Sequence, residues 1–192
     1  MDGLSSKLKQ DPIDYRLKAI GPDRMIGEQD TSRLKQVIER CRKTSSWSQR
    51  KKSGAALGFA SHYSFRSYVA MVIEVVKDDD RIKVKRVDVV ADCGQIVHPE
   101  AVVSQFEGSI IFGLTAALLG KIEFKDGIVS QSNFDDYPVL RMNQSPEINV
   151  TLVKNNAPPE GVGEPGTPLV VPALVSAIEQ LTGKFITKLP LT

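Results

Sequence analysis

The residues best placed to do chemistry lie in one short stretch, EGVGEPGTP, at positions 160–168. Gly161, Gly163, Pro165, Gly166 and Pro168 surround Glu164 there. The stretch lacks the G-x-G-x-x-G spacing of a dinucleotide loop and the Gly-Lys-Ser/Thr of a triphosphate loop, and it puts a negative charge where phosphate would sit. A carboxylate in that setting suits a proton acceptor. Gly161 and Gly163 would let the backbone pass close to a large planar group. Pro165 would stiffen the chain beyond it, and a desolvated pocket would make Glu164 a stronger general base. An ordinary surface turn uses the same residue types, so both readings stand at this point.

Gln105 is a second candidate, because it interrupts an apolar helical run. A buried amide needs partners, so it is either a structural hydrogen-bond hub or a ligand contact. Asp135 and Asp136 are paired carboxylates, but no base or metal ligand lies near them in sequence, and they read as a capped turn. His98 precedes Pro99 and reads as a loop residue at a helix entrance. Cys41 and Cys93 form no CxxC pair, and neither His62 nor His98 has a helically spaced ligand, so no metal site is expected from this chain alone.

The elements that must position these residues follow from pattern. The chain has 192 residues, 41% of them hydrophobic and 25% charged, with a net charge of +2, too small to imply nucleic acid as a partner. Residues 1–53 carry 13 Lys/Arg against 7 Asp/Glu, and the remainder 12 against 16, which suggests a basic arm and a mildly acidic body. No signal peptide follows Met1, and the apolar run 109–120 is too short to span a membrane. Two scattered cysteines fit a reducing, cytoplasmic compartment, with a periplasmic one as the alternative if targeting lies on a missing part.

Asp11 and Pro12 predict a helix start, and residues 30–43 a second helix. The polar, basic SSWSQRKKSG that follows is the best candidate boundary. Residues 55–64, 67–76 and 81–92 read as strands, the last two joined at KDDD. Ile82, Val84, Val87 and Val89 predict one buried and one wet face over most of the strand, and the broken alternation at KRVDVV predicts a bulge or a change of exposure. Residues 99–120 form the strongest helical pattern, with Val103, Phe106, Ile110, Gly113, Leu114 and Ala117 as its stripe. Gly108 and Gly113 each cost about 1 kcal/mol relative to Ala in a helix, which predicts close approach by another group. A hairpin at Asp126–Gly127, a turn-rich connection over 133–146, a strand over 147–154 and a helix over 172–183 complete the pattern. The sum predicts an α+β fold: antiparallel strands and hairpins packed with two long helices, 99–120 and about 168–183. The helical arm 1–53 is expected to pack loosely, or to reach toward missing partners, ahead of a domain at 54–192.

Three segments in one order carry a resemblance: DCGQIVHPEAVVSQFEGSIIFGLTAAL, QSNFDDYPVLRM and EGVGEPGTPLVVPALVSAIEQLTGKFITKLP. Together they resemble the C-terminal, molybdopterin-binding part of the large subunit in the xanthine dehydrogenase/aldehyde oxidase family of molybdenum hydroxylases, in particular bacterial isoquinoline 1-oxidoreductase-type β subunits. The resemblance implies hydroxylation of an aldehyde or N-heterocyclic carbon with oxygen from water. It makes Glu164 the match of the family's general-base glutamate. Gln105 and Gly108 match a pterin-contacting Q-x-x-G pattern, and Gly161, Val162 and Gly163 match the cofactor-binding loop. It further implies a molybdopterin in a dinucleotide form, the remainder of a large subunit, a 2Fe–2S small subunit and a small-molecule substrate.

Two departures stand out. Family members usually carry Asn at the position of His98. The upstream G-G-G-F-G-type loops and the cluster cysteines are not in this sequence. The chain is therefore expected to be a terminal fragment or separately encoded piece, inactive and without cofactor on its own. The alternative is a truncated, non-catalytic domain of the same family.

Overall fold

The computed structural model describes residues 1–49, 55–78 and 81–191. The N-terminal segment runs through α1 (Asp2–Lys7), α2 (Pro12–Ile20), a hairpin of β1 (Met25–Ile26) and β2 (Gln29–Asp30), and α3 (Thr31–Thr44). Asp11 caps α2 by accepting from the Ile13 and Asp14 amides at 2.8 and 3.2 Å, and Asp30 caps α3 by accepting from Ser32 N at 2.8 Å. Each such cap contributes about 1 kcal/mol.

Three long strands follow: β3 (Ala56–Ser64), β4 (Ser67–Asp78) and β5 (Arg81–Asp92), paired antiparallel in sequence order. Phe65 and Arg66 turn β3 into β4 with positive φ at both positions. The bulge expected in KRVDVV is present: Val75 pairs with Val84 but Glu74 with Arg86, so Lys85 is the extra residue. The division expected between residues 53 and 54 falls outside the described residues, as do Asp79 and Asp80 of the KDDD connection.

Helix α4 (Pro99–Leu118) comes next, then a small hairpin of β6 (Phe124–Lys125) and β7 (Ile128–Val129). Asp126 and Gly127 make its turn, both at positive φ as a two-residue hairpin loop requires. Strand β8 (Glu147–Leu152) and helix α5 (Thr167–Thr182) end the described order, and Gly183 stops α5 in the left-handed conformation. The α+β class and the two long covering helices are as expected, with one addition. β8 joins the edge of β5 in parallel, giving the order β3-β4-β5-β8. A parallel neighbour needs a long crossover, and α4 with its following connection supplies it.

Side chains alternate across this sheet into two cores. Val69, Met71, Ile73 and Val75 of β4, with Val87, Val89 and Ala91 of β5, meet Phe106, Ile110 and Leu114 of α4 and Leu169, Ala173 and Leu174 of α5. Tyr68, Ala70 and Val72 of β4, with Leu57, Phe59 and Val90, meet Ile13 of α2 and Leu34, Val37, Ile38 and Cys41 of α3. The N-terminal helices do not pack loosely. The wet face expected of β5 holds only up to Arg86; from Val87 onward the strand is buried on both faces because α3 covers that side, the change of exposure that the break at KRVDVV allowed. The charges that broke the alternation are themselves held: Arg86 pairs with Asp88 at 2.8 Å. Where α5 crosses β3, a Cβ on Gly58 would stand 1.8 Å from Ala173 O, so only glycine lets helix and strand meet there.

By length and composition α4 is apolar enough to cross a bilayer, being longer than the run 109–120 considered alone. In this fold its stripe of Phe106, Ile110, Leu114 and Ala117 is buried in the first core.

Candidate functional site

His98 opens α4, its Nδ1 accepting from Ala101 N at 3.1 Å. That is a cap an Asn side chain also supplies, which gives the departure at this position a physical account. Past the cap, two stripes run along the helix. The buried stripe holds Phe106, Ile110, Gly113, Leu114 and Ala117. A second, at i, i+3 and i+7, holds Gln105, Gly108 and Phe112 and faces a pocket of about 500 Å³. Phe112 is 68% exposed on it. Ser109 of α4, Gly163 and Glu164 of the loop, and Thr167 and Pro168 of α5 complete the lining.

Close backbone approach brings these elements together. A Cβ on Gly113 would stand 2.8 Å from Val170 Cγ2, and one on Gly166 would stand 2.1 Å from Ser109 Oγ. Thr167 Oγ1 donates to Ser109 O at 3.1 Å, and Thr167 N donates to Glu164 O at 3.0 Å, closing the loop onto α5.

The loop backbone is pinned on both sides of Glu164. Before it, Gly161 N donates to Phe65 O at 3.0 Å and Ser67 Oγ donates to Gly161 O at 2.7 Å. After it, His62 Nε2 lies 2.8 Å from Pro165 O, and Pro165 and Gly166 are buried. Burial of the His62 ring pushes its pKa below the ordinary imidazole value, against the opposing effect of its bond to Pro165. The Glu164 side chain stands exposed at the pocket, with no hydrogen bond or ion pair among the described residues.

The predicted site residues therefore divide. Gln105, Gly108, Gly163 and Glu164 converge on one pocket. Gly161 and Val162 do not line it. A Cβ on Gly161 would stand 2.7 Å from Phe65 Cβ, so a glycine there leaves room for the β3–β4 turn. Val162 packs on the first core. Two further expectations are corrected. Gln105 is exposed rather than buried, because it sits one residue, about 100° of helix, from the Phe106 stripe. Glu164 is exposed rather than desolvated, because α4 and the α5 entrance form one wall and no described residue covers the other. Asp136 holds a turn, accepting from Ser132 N, Ser132 Oγ and Asn133 N at 2.8, 3.1 and 3.0 Å. Those bonds, the Asn133 amide first, lower its pKa. No group of three His, Cys, Asp or Glu converges among the described residues.

Sequence reasoning missed His62, Ser109, Phe112 and the Thr167–Pro168 entrance. For Phe112 a signal existed, since it continues the i, i+3, i+7 spacing from Gln105 and Gly108. For His62 none did, because its partner carbonyl is 103 residues away.

The fold is one already seen in solved oxidoreductases. Quinoline 2-oxidoreductase from Pseudomonas putida 86 superposes with a TM-score of 0.58 at 22% identity, covering 65% of this chain and 17% of that one. Aldehyde oxidoreductase from Desulfovibrio gigas superposes at 0.56 with 25% identity, covering 65% and 14%. The chain belongs to the molybdopterin cofactor-binding domain family, which it matches over residues 22–146. The β subunit of isoquinoline 1-oxidoreductase from Brevundimonas diminuta is 33% identical over all of this chain and 24% of its own length. A subunit of nicotinate dehydrogenase from Pseudomonas putida is 28% identical over all of this chain and 17% of its own. The chain thus spans about a quarter or less of the length of these relatives.

Proposed function

We propose that this chain forms one wall of the active site of a molybdenum hydroxylase, an oxidoreductase that hydroxylates an aldehyde or N-heterocyclic carbon with oxygen from water, and that Glu164 is its general base. The observation that carries the reading is the combination at Glu164: a backbone held on both sides and a carboxylate left free in a pocket shared with Gln105. Hydroxylation by water releases two protons and two electrons. A pinned carboxylate with unused lone pairs can take one of those protons from the attacking oxygen.

The residues present fit a molybdopterin. The Gln105 amide forms no side-chain hydrogen bond among the described residues, and a Cβ on Gly108 or Gly163 would meet nothing within 4 Å, so a bulky group can reach backbone at both positions. Gln105, Gly108 and Gly163 would hold the pterin. When bound, the group supplies a redox-active molybdenum that takes up the two electrons. The same reading includes a dinucleotide form of the pterin, the remainder of a large subunit and a small subunit with 2Fe–2S clusters. The second cover of the pocket and the electron exit are assigned to those partners.

Elemental analysis tests this. The chain alone should carry no molybdenum, whereas the chain assembled with the rest of a large subunit and an iron–sulfur partner should carry it stoichiometrically and turn over an aldehyde or N-heterocycle. Stoichiometric molybdenum in the isolated chain would contradict the one-wall reading. The open pocket also favours a second reading, a folded, non-catalytic domain of the family. An assembled complex that binds no molybdenum would decide for it.

A further inference from the structure

Arg33 lies in the first turn of α3, within the segment whose composition suggested a separate basic arm. Its guanidinium reaches across the sheet end. Nε and Nη2 each donate to one oxygen of Asp92 at 2.8 Å, and Nη1 and Nη2 donate to Glu160 at 3.3 and 3.0 Å. The plane lies over the Tyr68 ring, 4.4 Å from its centroid, and Tyr68 Oη accepts from Asp30 N at 2.6 Å, at the cap of the same helix. Asp92 is fully buried and also accepts from Asn155 Nδ2 and Gly94 N. Glu160, four residues before Glu164, donates its own N–H to Cys93 O at 2.9 Å.

A guanidinium suits this place and an ammonium does not. Two carboxylates are held in two forked geometries by one planar cation, which needs several donors in fixed directions. Without that cation, two carboxylates at the sheet end repel each other. Asp92, tied by Asn155 and Gly94, has nowhere to go. Glu160 can swing to water, and it takes the start of the loop with it.

We propose that Arg33 is a positioning residue for the Glu164 loop: by joining Asp92 and Glu160 it sets where residues 161–164 leave the sheet. Its importance for catalysis rests on Glu164 being the base, whereas the positioning itself does not. The N-terminal segment is then part of the site's architecture, although none of its residues lines the pocket of Glu164.

Amide hydrogen exchange on the chain tests this. In Arg33→Lys, the Glu160 and Gly161 amides, which bond Cys93 O and Phe65 O, should exchange at least about tenfold faster, while Met71 and Val89 in the sheet centre change by less than about threefold. Unchanged loop amides, or equal acceleration everywhere, would overturn the proposal, the second outcome making Arg33 only a general stabiliser. If Arg33→Lys does not fold, Glu160→Gln decides. It leaves the Arg33–Asp92 pair intact and should accelerate the same two amides by about threefold, and no local change there would also overturn it. In the assembled enzyme Arg33→Lys should lower kcat with little change in KM. Should Glu164→Gln keep full turnover, the base assignment fails while the exchange result still judges the clamp.

Discussion

Two carboxylates on turn-rich loops, Asp136 and Glu164, show how differently the same group can be used. Asp136 turns inward on its own loop and commits its lone pairs to Ser132 and Asn133. The Glu164 carboxylate holds nothing among the described residues. Its flanking backbone is instead gripped by Phe65, Ser67 and His62, from elements far away in sequence. A carboxylate that folds a turn is consumed by it. A carboxylate whose backbone is fixed by others keeps its charge available in a known place, which is the preorganisation a general base requires.

The largest test of that contrast is kinetic. Glu164→Gln in the assembled enzyme should lower kcat by about 10²–10⁴ with molybdenum content unchanged, since the amide keeps the shape and loses the basic lone pair. Turnover within about threefold of wild type would remove Glu164 from the reaction. Asp136→Asn should leave turnover within about twofold and soften only its own turn, seen as faster exchange at the Ser132 and Asn133 amides.

The two glycines beside Glu164 sharpen the comparison. Gly161→Ala forces a Cβ against Phe65 and should destabilise the chain by about 1–3 kcal/mol in a denaturant titration. Gly163→Ala, with open space at its Cβ, should stay within about 0.5 kcal/mol and lower molybdenum occupancy of the assembled enzyme instead. Equal stability losses in the two variants would mean that the loop is packed as one unit. Gln105→Ala should behave like Gly163→Ala: its melting temperature unchanged within about 2 °C and its metal content reduced.

The smallest effect is the pH dependence set by His62. Its folded pKa lies below its unfolded one because burial disfavours the cation, so the unfolded chain binds the proton more readily. Stability should therefore fall as pH drops below about 6.5 and level off once the folded pKa is passed. Comparison with His62→Gln isolates that loss, expected to be about 2 °C or less in melting temperature. Identical pH profiles for the two proteins would show that the ring is not held neutral against Pro165.

Much of the architecture was legible because its signals are local. Asp11 and Asp30 cap helices by bonding amides two or three residues on, Asp126–Gly127 turns a hairpin by its own φ angles, Gly183 stops α5, and the break in KRVDVV marks the bulge at Lys85. The family, too, was carried by three short motifs in order. Glu164, Gln105, Gly108 and Gly163 could be named as candidates on that basis, and the fold brings those four to one pocket.

Tertiary structure alone decided the rest. Period-2 alternation says which residues of a strand share a face, but not what covers it, so the α3 layer on the second face of β5 could not be read. The helical stripe through Phe106 was legible in the sequence, but only the packing of α4 shows that Gln105 beside it stays exposed. Gly161 and Gly163 are the same residue two positions apart, and only the nearness of Phe65 separates their roles. Arg33 meets Asp92 across 59 residues and Glu160 across 127. Such pairings leave no local trace, because a buried charge is satisfied by whatever the folded chain brings within reach, and that partner is chosen by topology rather than by neighbouring sequence.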